Sequence, residues 1–281
     1  MHDTPFKNKK FVLHLSLTLI MRGAIRLSFY TPKEAYPILK QNIQKKIHQS
    51  LTQKVALGIF AGILISIGAF TYILALGLIS PLNLGLAKVI ASLIFAIGLS
   101  SIIIGGGDLL TGNFLLFVPY LEKEVKLVAL LKNWCLVFFL NLIGALLFAL
   151  LVISLGNLGD SGIASFESIG LMKSTTSLNM LFFRAIGCNF LVCLGIWLAT
   201  TSQDIVGKFF PSIFCVFTFV FSGFEHSIAN MFTLPVAFFF SNEITLSGLL
   251  NNILIVTLGN AFGAIIFSLF LYFGFSEKHD A

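Results

Sequence analysis

Two patterns of apolar positions divide this chain. Between Thr31 and Ser50 the apolar residues Ala35, Ile38, Leu39, Ile43 and Ile47 recur at helical spacing, with Lys40, Gln41, Lys45 and Lys46 between them. Thr31-Pro32-Lys33-Glu34 reads as a capping box with proline at the first helical position. An amphipathic helix over 31–50 follows, either lying on the cytoplasmic membrane face or packed on the protein's own underside. From Val55 onward the alternation gives way to long apolar runs. A bilayer core takes roughly 20 apolar helical residues to cross. The runs predict six passes, at about 55–79, 84–118, 127–155, 175–200, 210–240 and 248–274. The second and fifth are interrupted.

Composition agrees with the pattern. The chain is 57% hydrophobic and only 11% charged, with a mean hydropathy of +0.96. Soluble domains carry about 25% charged residues, so the expected class is an all-α integral membrane protein. The net charge of +6 is concentrated before Ala56. The positive-inside rule then places the N-terminus in the cytoplasm. The loops at 122–126 and 203–208 and the tail at 276–281 fall on that same side. The opposite loops, near 157–172 and 241–246, carry Asp160, Glu167 and Glu243 and no basic residue. Six passes with both ends cytoplasmic in the cell's inner membrane are the expectation. No basic soluble domain is present for nucleic acid. Cys135, Cys188, Cys193 and Cys215 lie inside apolar segments and read as small buried residues. Residues 1–30 form an extension in which Lys7–Lys10 and Phe11–Met21 look like a signal peptide, or Met21 is the true start.

The two interruptions resemble each other. Gly105-Gly106-Gly107-Asp108-Leu109-Leu110-Thr111-Gly112-Asn113 sits in the second pass, and Ser222-Gly223-Phe224-Glu225-His226-Ser227-Ile228-Ala229-Asn230 in the fifth. In each, a carboxylate follows glycine and an asparagine stands five residues later: Asp108 with Asn113, and Glu225 with Asn230. Asn141-Leu142-Ile143-Gly144-Ala145 parallels Asn260-Ala261-Phe262-Gly263-Ala264 at nearly the same offset. A duplicated unit of three passes, about 51–156 and 173–275, is predicted. Three is odd, so the second copy enters from the opposite side, which gives an inverted repeat whose broken helices meet near the midplane. Irregular backbone at that depth must be buried in protein or line a cavity. Asp108 and Glu225 either accept hydrogen bonds from amides freed at the breaks or act directly in transport.

GGGDLLTGN, SGFEHSIANMF, CNFLVCLGIW and TLGNAFGA together resemble the formate/nitrite transporter family, and the similarity runs from about Thr31 to Phe275. The resemblance implies a homopentamer of aquaporin-like protomers. Each would pass small weak-acid anions such as formate, nitrite, hydrosulfide, lactate or acetate, with formate preferred here, and without cofactor or metal. It also implies a pore histidine at His226 with Thr111 as its hydrogen-bonding partner. Phe95, Leu99, Leu109, Val192 and Phe219 would form two hydrophobic constrictions. Lys173 would draw anions into a vestibule, and Asn189 and Asn260 would stand at pore mouths. The family often has Phe where Leu110 stands.

The residues themselves suit that chemistry. His2, His14, His48 and His279 lie outside the passes, which leaves His226 as the one membrane histidine. An ionisable group at membrane depth is a functional candidate by default, and histidine titrates near neutral pH. A bare anion pays heavily to enter an apolar slit. A proton handed over by His226 would let it cross as the neutral acid. Lys173 also reads as a plain interfacial charge, and Phe95 and Phe219 as core residues. Arg184, about two turns into the fourth pass, has no partner that the sequence places. A neutral-solute channel would carry Asn-Pro-Ala motifs, and none occurs. An intramembrane metalloprotease would need a motif such as HExxH, which is also missing.

Overall fold

The computed structural model describes residues 29–156 and 158–277. The signal-like run before Phe29 and the tail beyond Glu277 lie outside the described residues. Every described element is helical apart from an isolated antiparallel bridge between Phe29 and Ser202. The helices are α1 Pro32–His48, α2 Leu51–Ile79, α3 Leu84–Phe95, α4 Ile97–Gly105, α5 Leu110–Asn113, α6 Phe117–Leu121, α7 Leu127–Leu155, α8 Gly159–Thr175, α9 Leu178–Thr201, α10 Ile205–Phe221, α11 Ser227–Phe240 and α12 Leu246–Phe275.

Five stretches are long and apolar enough to cross a membrane: α2, the α3–α4 pair, α7, α9 and α12. The fifth predicted pass is two short apolar helices, α10 and α11, of 17 and 14 residues. At 1.5 Å per residue each spans roughly 20–25 Å, short of a hydrocarbon core of about 30 Å. The helix of the second pass stops at Gly105 and resumes at Leu110, and that of the fifth stops at Phe221 and resumes at Ser227. Gly106 (φ 87°) and Gly223 (φ 69°) turn the chain at the two breaks in the left-handed region, which a side chain disfavours.

Two long pairs frame these breaks. α2 packs along α7, and α9 along α12. Both pairs approach closely at glycines, as membrane helices do when small residues replace a hydrophobic driving force. A Cβ at Gly62 would run into the Asn141 carbonyl, and one at Gly144 into the Ile59 carbonyl. In the other pair, Gly259 faces the Phe182 carbonyl and Gly263 the Ile186 carbonyl. The shorter helices fill the space between. α10 packs on α3, α4 and α9, while α11 packs on α7, α8 and α12. Buried Ser100 on α4 and Ser212 on α10 share a hydrogen bond of 2.9 Å.

The segment near 157–172, expected as a loop, is a helix through most of its length, and the helix runs on to Thr175. Gly162, Phe166 and Gly170 recur every four residues and form its buried face, with Phe166 edge-on to Phe232. Asp160 in the first turn and Lys173 in the last complement its dipole. Polar residues on the outer face masked this stripe in the hydropathy pattern.

α1 carries the predicted capping box of Thr31 and Glu34. Its apolar face, Ala35, Tyr36, Leu39 and Ile43, is covered by protein, so the helix lies on the protein's own underside. A buried carboxylate ties it down. Glu122 accepts from Tyr36 Oη at 2.7 Å, from Lys40 Nζ at 2.5 Å and from Ser276 Oγ at 2.6 Å. Burial alone would raise the Glu122 pKa, but the hydrogen bonds from Lys40, Ser276 and Tyr36 outweigh it and hold the carboxyl at about 2, against an ordinary 4.5.

Two predictions follow from this packing. Gly144→Ala and Gly263→Ala should each lower the melting temperature of the detergent-purified protein, through overpacking that costs about 1–3 kcal/mol. Gly274→Ala, where an added Cβ meets nothing within 4 Å, should not lower it. Because Glu122 is depressed in the folded state, its latch is fully present above about pH 4.5 and is lost as pH falls toward 2. Hydrogen exchange of α1, corrected for intrinsic rate, should therefore be the same at pH 7 and pH 5. Loosening at pH 5 would show that something other than Glu122 governs docking.

Candidate functional site

Each broken helix leaves backbone N–H and C=O groups without helical partners, and no water is available in a bilayer to take them. Two asparagines meet this need. At the first break Asn141 Oδ1 accepts from the Leu110 N–H at 2.8 Å, while its Nδ2 donates to the carbonyls of Gly58 (2.8 Å) and Asp108 (2.9 Å). At the second, Asn260 Oδ1 accepts from the Ser227 N–H at 2.9 Å, and its Nδ2 donates to the carbonyls of Ala185 (2.8 Å) and Glu225 (2.9 Å). Asp108 N–H reaches back to the Leu57 carbonyl and Glu225 N–H to that of Arg184.

The carboxylates do not take the freed amides, contrary to one of the two roles expected for them. Asp108 Oδ1 accepts from Asn113 Nδ2 at 2.8 Å and pairs with Lys46 Nζ at 3.4 Å. Glu225 Oε2 accepts from Asn230 Nδ2 at 2.7 Å and from Lys173 Nζ at 2.7 Å. Asn113 Nδ2 also donates to Asn133 Oδ1, and Asn230 Nδ2 to Asn252 Oδ1. Both clusters are therefore Lys–carboxylate–Asn–Asn sets, with the carboxylates 1% and 3% exposed. Lys46 ends α1 and Lys173 ends α8, so each cation comes from the helix preceding a long pair.

Lys46, Asn133, Asn141 and Asn252 were absent from the expected site. The signal for them was present. Asn133 and Asn252 stand at the same separation as Asn141 and Asn260, and Lys46 and Lys173 both sit in the last turn of a helix just before a long apolar one. Lys173 is thus paired rather than free, although it still lines a cavity. Asn189 and Asn260, expected at pore mouths, are both fully buried and bond backbone carbonyls. Asn189 Nδ2 donates to the carbonyls of Asn260 and Thr111, because two helices must be bridged there. Arg184 is half-buried and makes no ion pair among the described residues.

His226 is the N-cap of α11, and its Nδ1 accepts from the Ala229 N–H at 3.2 Å. With Nδ1 accepting, the neutral ring carries its proton on Nε2, which donates to Thr111 Oγ1 at 3.1 Å. Thr111 lies in α5, on the far side of the first break, so this contact joins the two interruptions. Both residues are buried.

Two cavities flank them. One, of about 580 Å³, opens beneath α1, and its walls include Lys46, Leu99, Leu109, Gly112 and Lys208. The other, of about 100 Å³, is walled by Tyr72, Phe95, Lys173, Phe219, His226 and Thr233. The predicted constriction residues thus divide: Phe95 and Phe219 on the His226 side, Leu99 and Leu109 on the α1 side, and Val192 in the core. Phe95 meets Phe219 edge-on at 5.9 Å, and Phe219 stacks on the His226 ring at 5.9 Å and 16°. Among the described residues no cluster of three His, Cys, Asp or Glu is placed to hold a metal.

A family model described as "Formate/nitrite transporter" matches residues 33–274. The chain is 33% identical over 265 residues to the "Probable formate transporter" of Methanothermobacter thermautotrophicus, covering 87% of this chain and 96% of that one. It is 32% identical over 257 residues to "Formate channel BtFdhC" of Bacillus thuringiensis, covering 91% and 99%. A solved structure described as "Pentameric formate channel with formate bound" superposes with a TM-score of 0.72 at 27% identity, covering 79% of this chain and 96% of that one.

The paired charges predict a specific double-variant result. Lys173→Met leaves the Glu225 carboxylate buried without its cation, which should destabilise the protein by about 3 kcal/mol. Adding Glu225→Gln should recover most of the lost thermal stability. A double variant no more stable than Lys173→Met alone would show that the pair is not coupled.

Proposed function

This chain belongs to the formate/nitrite transporter family, and from that premise we propose that it is a homopentameric channel for small monovalent weak-acid anions, formate first and nitrite second. It is a multi-pass membrane protein, and the proposed site is the inner membrane, with both termini cytoplasmic. The reading rests on one observation above all. His226, the one buried histidine among the described residues, bonds the threonine of the opposite helix break, between two cavities and beside a pair of phenylalanines.

Each protomer would be a six-pass unit with an inverted repeat, about 51–156 and 173–275. The bond-for-bond agreement of the two asparagine brackets supports this. In the proposed mechanism an anion enters on the Lys173 side and reaches Phe95 and Phe219, where a charge is too costly to desolvate. It takes a proton near His226 and passes Leu99 and Leu109 as the neutral acid. To act as the donor, His226 must first gain a proton at Nδ1, which displaces the Ala229 N–H from its cap. Proton capture and release are then strained and brief, which suits a relay rather than a store.

A second reading, hydrosulfide or a short carboxylate such as lactate or acetate as the main substrate, keeps every element of the site. The small cavity beside His226 favours the smallest of these anions.

Formate flux into proteoliposomes at pH 7 and pH 5, with nitrite and hydrosulfide as competitors, tests the proposal. Saturable flux that nitrite blocks is expected, with a pH dependence lost in His226→Phe. A His226→Phe variant with wild-type pH dependence would sink the proton-linked mechanism.

A further inference from the structure

The ring contacts beside His226 extend further than the two phenylalanines. Tyr72 on α2 meets Phe95 edge-on, with ring centroids 6.2 Å apart and planes at 85°. Tyr72, Phe95, Phe219 and His226 therefore form a continuous ladder of four rings. The inner three present no hydroxyl, and only Tyr72, at the end away from His226, carries one.

That hydroxyl is uncommitted. Tyr72 lines the small cavity, and its Oη makes no hydrogen bond among the described residues. Thr233 lines the same cavity from α11, one face with His226, Ala229 and Asn230. Its hydroxyl likewise makes no hydrogen bond among the described residues, although Thr218 and Thr257 each bond the carbonyl four residues back in their own helices. Two other polar groups of the cavity already carry bonds within the protein. The Lys173 ammonium holds Glu225, and the Asn230 amide is shared between Glu225 and Asn252. Neither hydroxyl is spent within the protein and both border the cavity, so two free hydroxyls on facing helices are available to a ligand that enters it.

We propose that the Tyr72 and Thr233 hydroxyls form an oxygen-anion subsite at the vestibule end of the ring ladder. Each donates a hydrogen bond to an oxygen of the anion as it sheds water before Phe95 and Phe219. Hydroxyl donors replace hydration without adding charge, so they hold the anion without trapping it. They also discriminate. Formate and nitrite present two oxygens, whereas sulfur in hydrosulfide is a weak acceptor. The inference rests on the anion-channel reading and deepens it by assigning selectivity to two residues outside the His226–Thr111 pair.

The test is flux of formate and of hydrosulfide at pH 8 into proteoliposomes, with the signal of protein-free liposomes subtracted, for wild type, Tyr72→Phe, Thr233→Val and the double variant. Size-exclusion elution at the wild-type position checks assembly. Tyr72→Phe should raise the formate concentration for half-maximal flux about tenfold, the effect of one lost hydrogen bond to a charged acceptor. The formate-to-hydrosulfide selectivity ratio should fall by a similar factor. Thr233→Val, which keeps the side-chain shape, should shift the ratio the same way, and the double variant further. Equal changes in both substrates, or no change in either single variant, overturn the subsite and leave the channel reading standing. Wild-type protein that moves neither anion overturns both.

Discussion

Two asparagine carboxamides carry the centre of this molecule. A helix broken at membrane depth exposes a donor on one side of the break and acceptors on the other, and lipid offers neither in return. Asparagine answers both needs with one side chain: an oxygen for the Leu110 or Ser227 amide, and two N–H groups for two carbonyls. Aspartate would lack the donors and add a charge. The breaks stand only because α7 and α12 are held close enough to present these groups, and that closeness comes from the glycine contacts of α2 with α7 and of α9 with α12.

With the breaks secured, the rest of the site follows in order. The resumed helices begin at the protein's interior, so the first residues of each emerge where the two breaks face one another. Thr111 and His226 are those residues, and they meet at 3.1 Å. The buried carboxylates do not serve the backbone. They anchor Asn113 and Asn230 and are neutralised by lysines from α1 and α8. Those two amphipathic helices are thereby locked to the breaks electrostatically, and α1 is locked again through Glu122 to the C-terminal end of α12.

The parts legible in the sequence were those with one-dimensional signatures. Long apolar runs located α2, α7, α9 and α12, and glycine beside a carboxylate located both breaks. The Thr31 capping box located α1. The matched offsets of Asp108 with Glu225 and Asn141 with Asn260 located the bracket, although the hydrogen bonds were assigned to the wrong side chains. What escaped depended on three-dimensional closure. α8 buries a narrow stripe of Gly162, Phe166 and Gly170 against neighbours far along the chain, so its hydropathy reads as a loop. The bonds of Asn189 to the carbonyls of Thr111 and Asn260 join residues far apart along the chain, which no spacing in the sequence displays. Lys46 was read only as one of the polar positions of α1 because its partner, Asp108, is 62 positions away.

The capping role of His226 limits what the histidine does. Its Nδ1 already holds the Ala229 amide, so the neutral ring is the one the fold supports. A resting positive charge at the inner end of the ladder would cost that cap and would sit beside Phe219 and near the Lys173–Glu225 pair, whose carboxylate is already neutralised. In the proposed channel, attraction of an anion must therefore arise before the ladder rather than at the histidine. Lys173 contributes, but Glu225 absorbs part of its field. What remains on the vestibule side is neutral: the Tyr72 and Thr233 hydroxyls, facing the small cavity. A channel that must not bind its anion tightly is better served by such dipoles than by a bare cation, since an ion held by full charge leaves slowly. The division of labour is then physical. In the proposed mechanism asparagines hold the breaks, hydroxyls replace water, rings exclude the charge, and the histidine meets the anion only where its charge can no longer be carried.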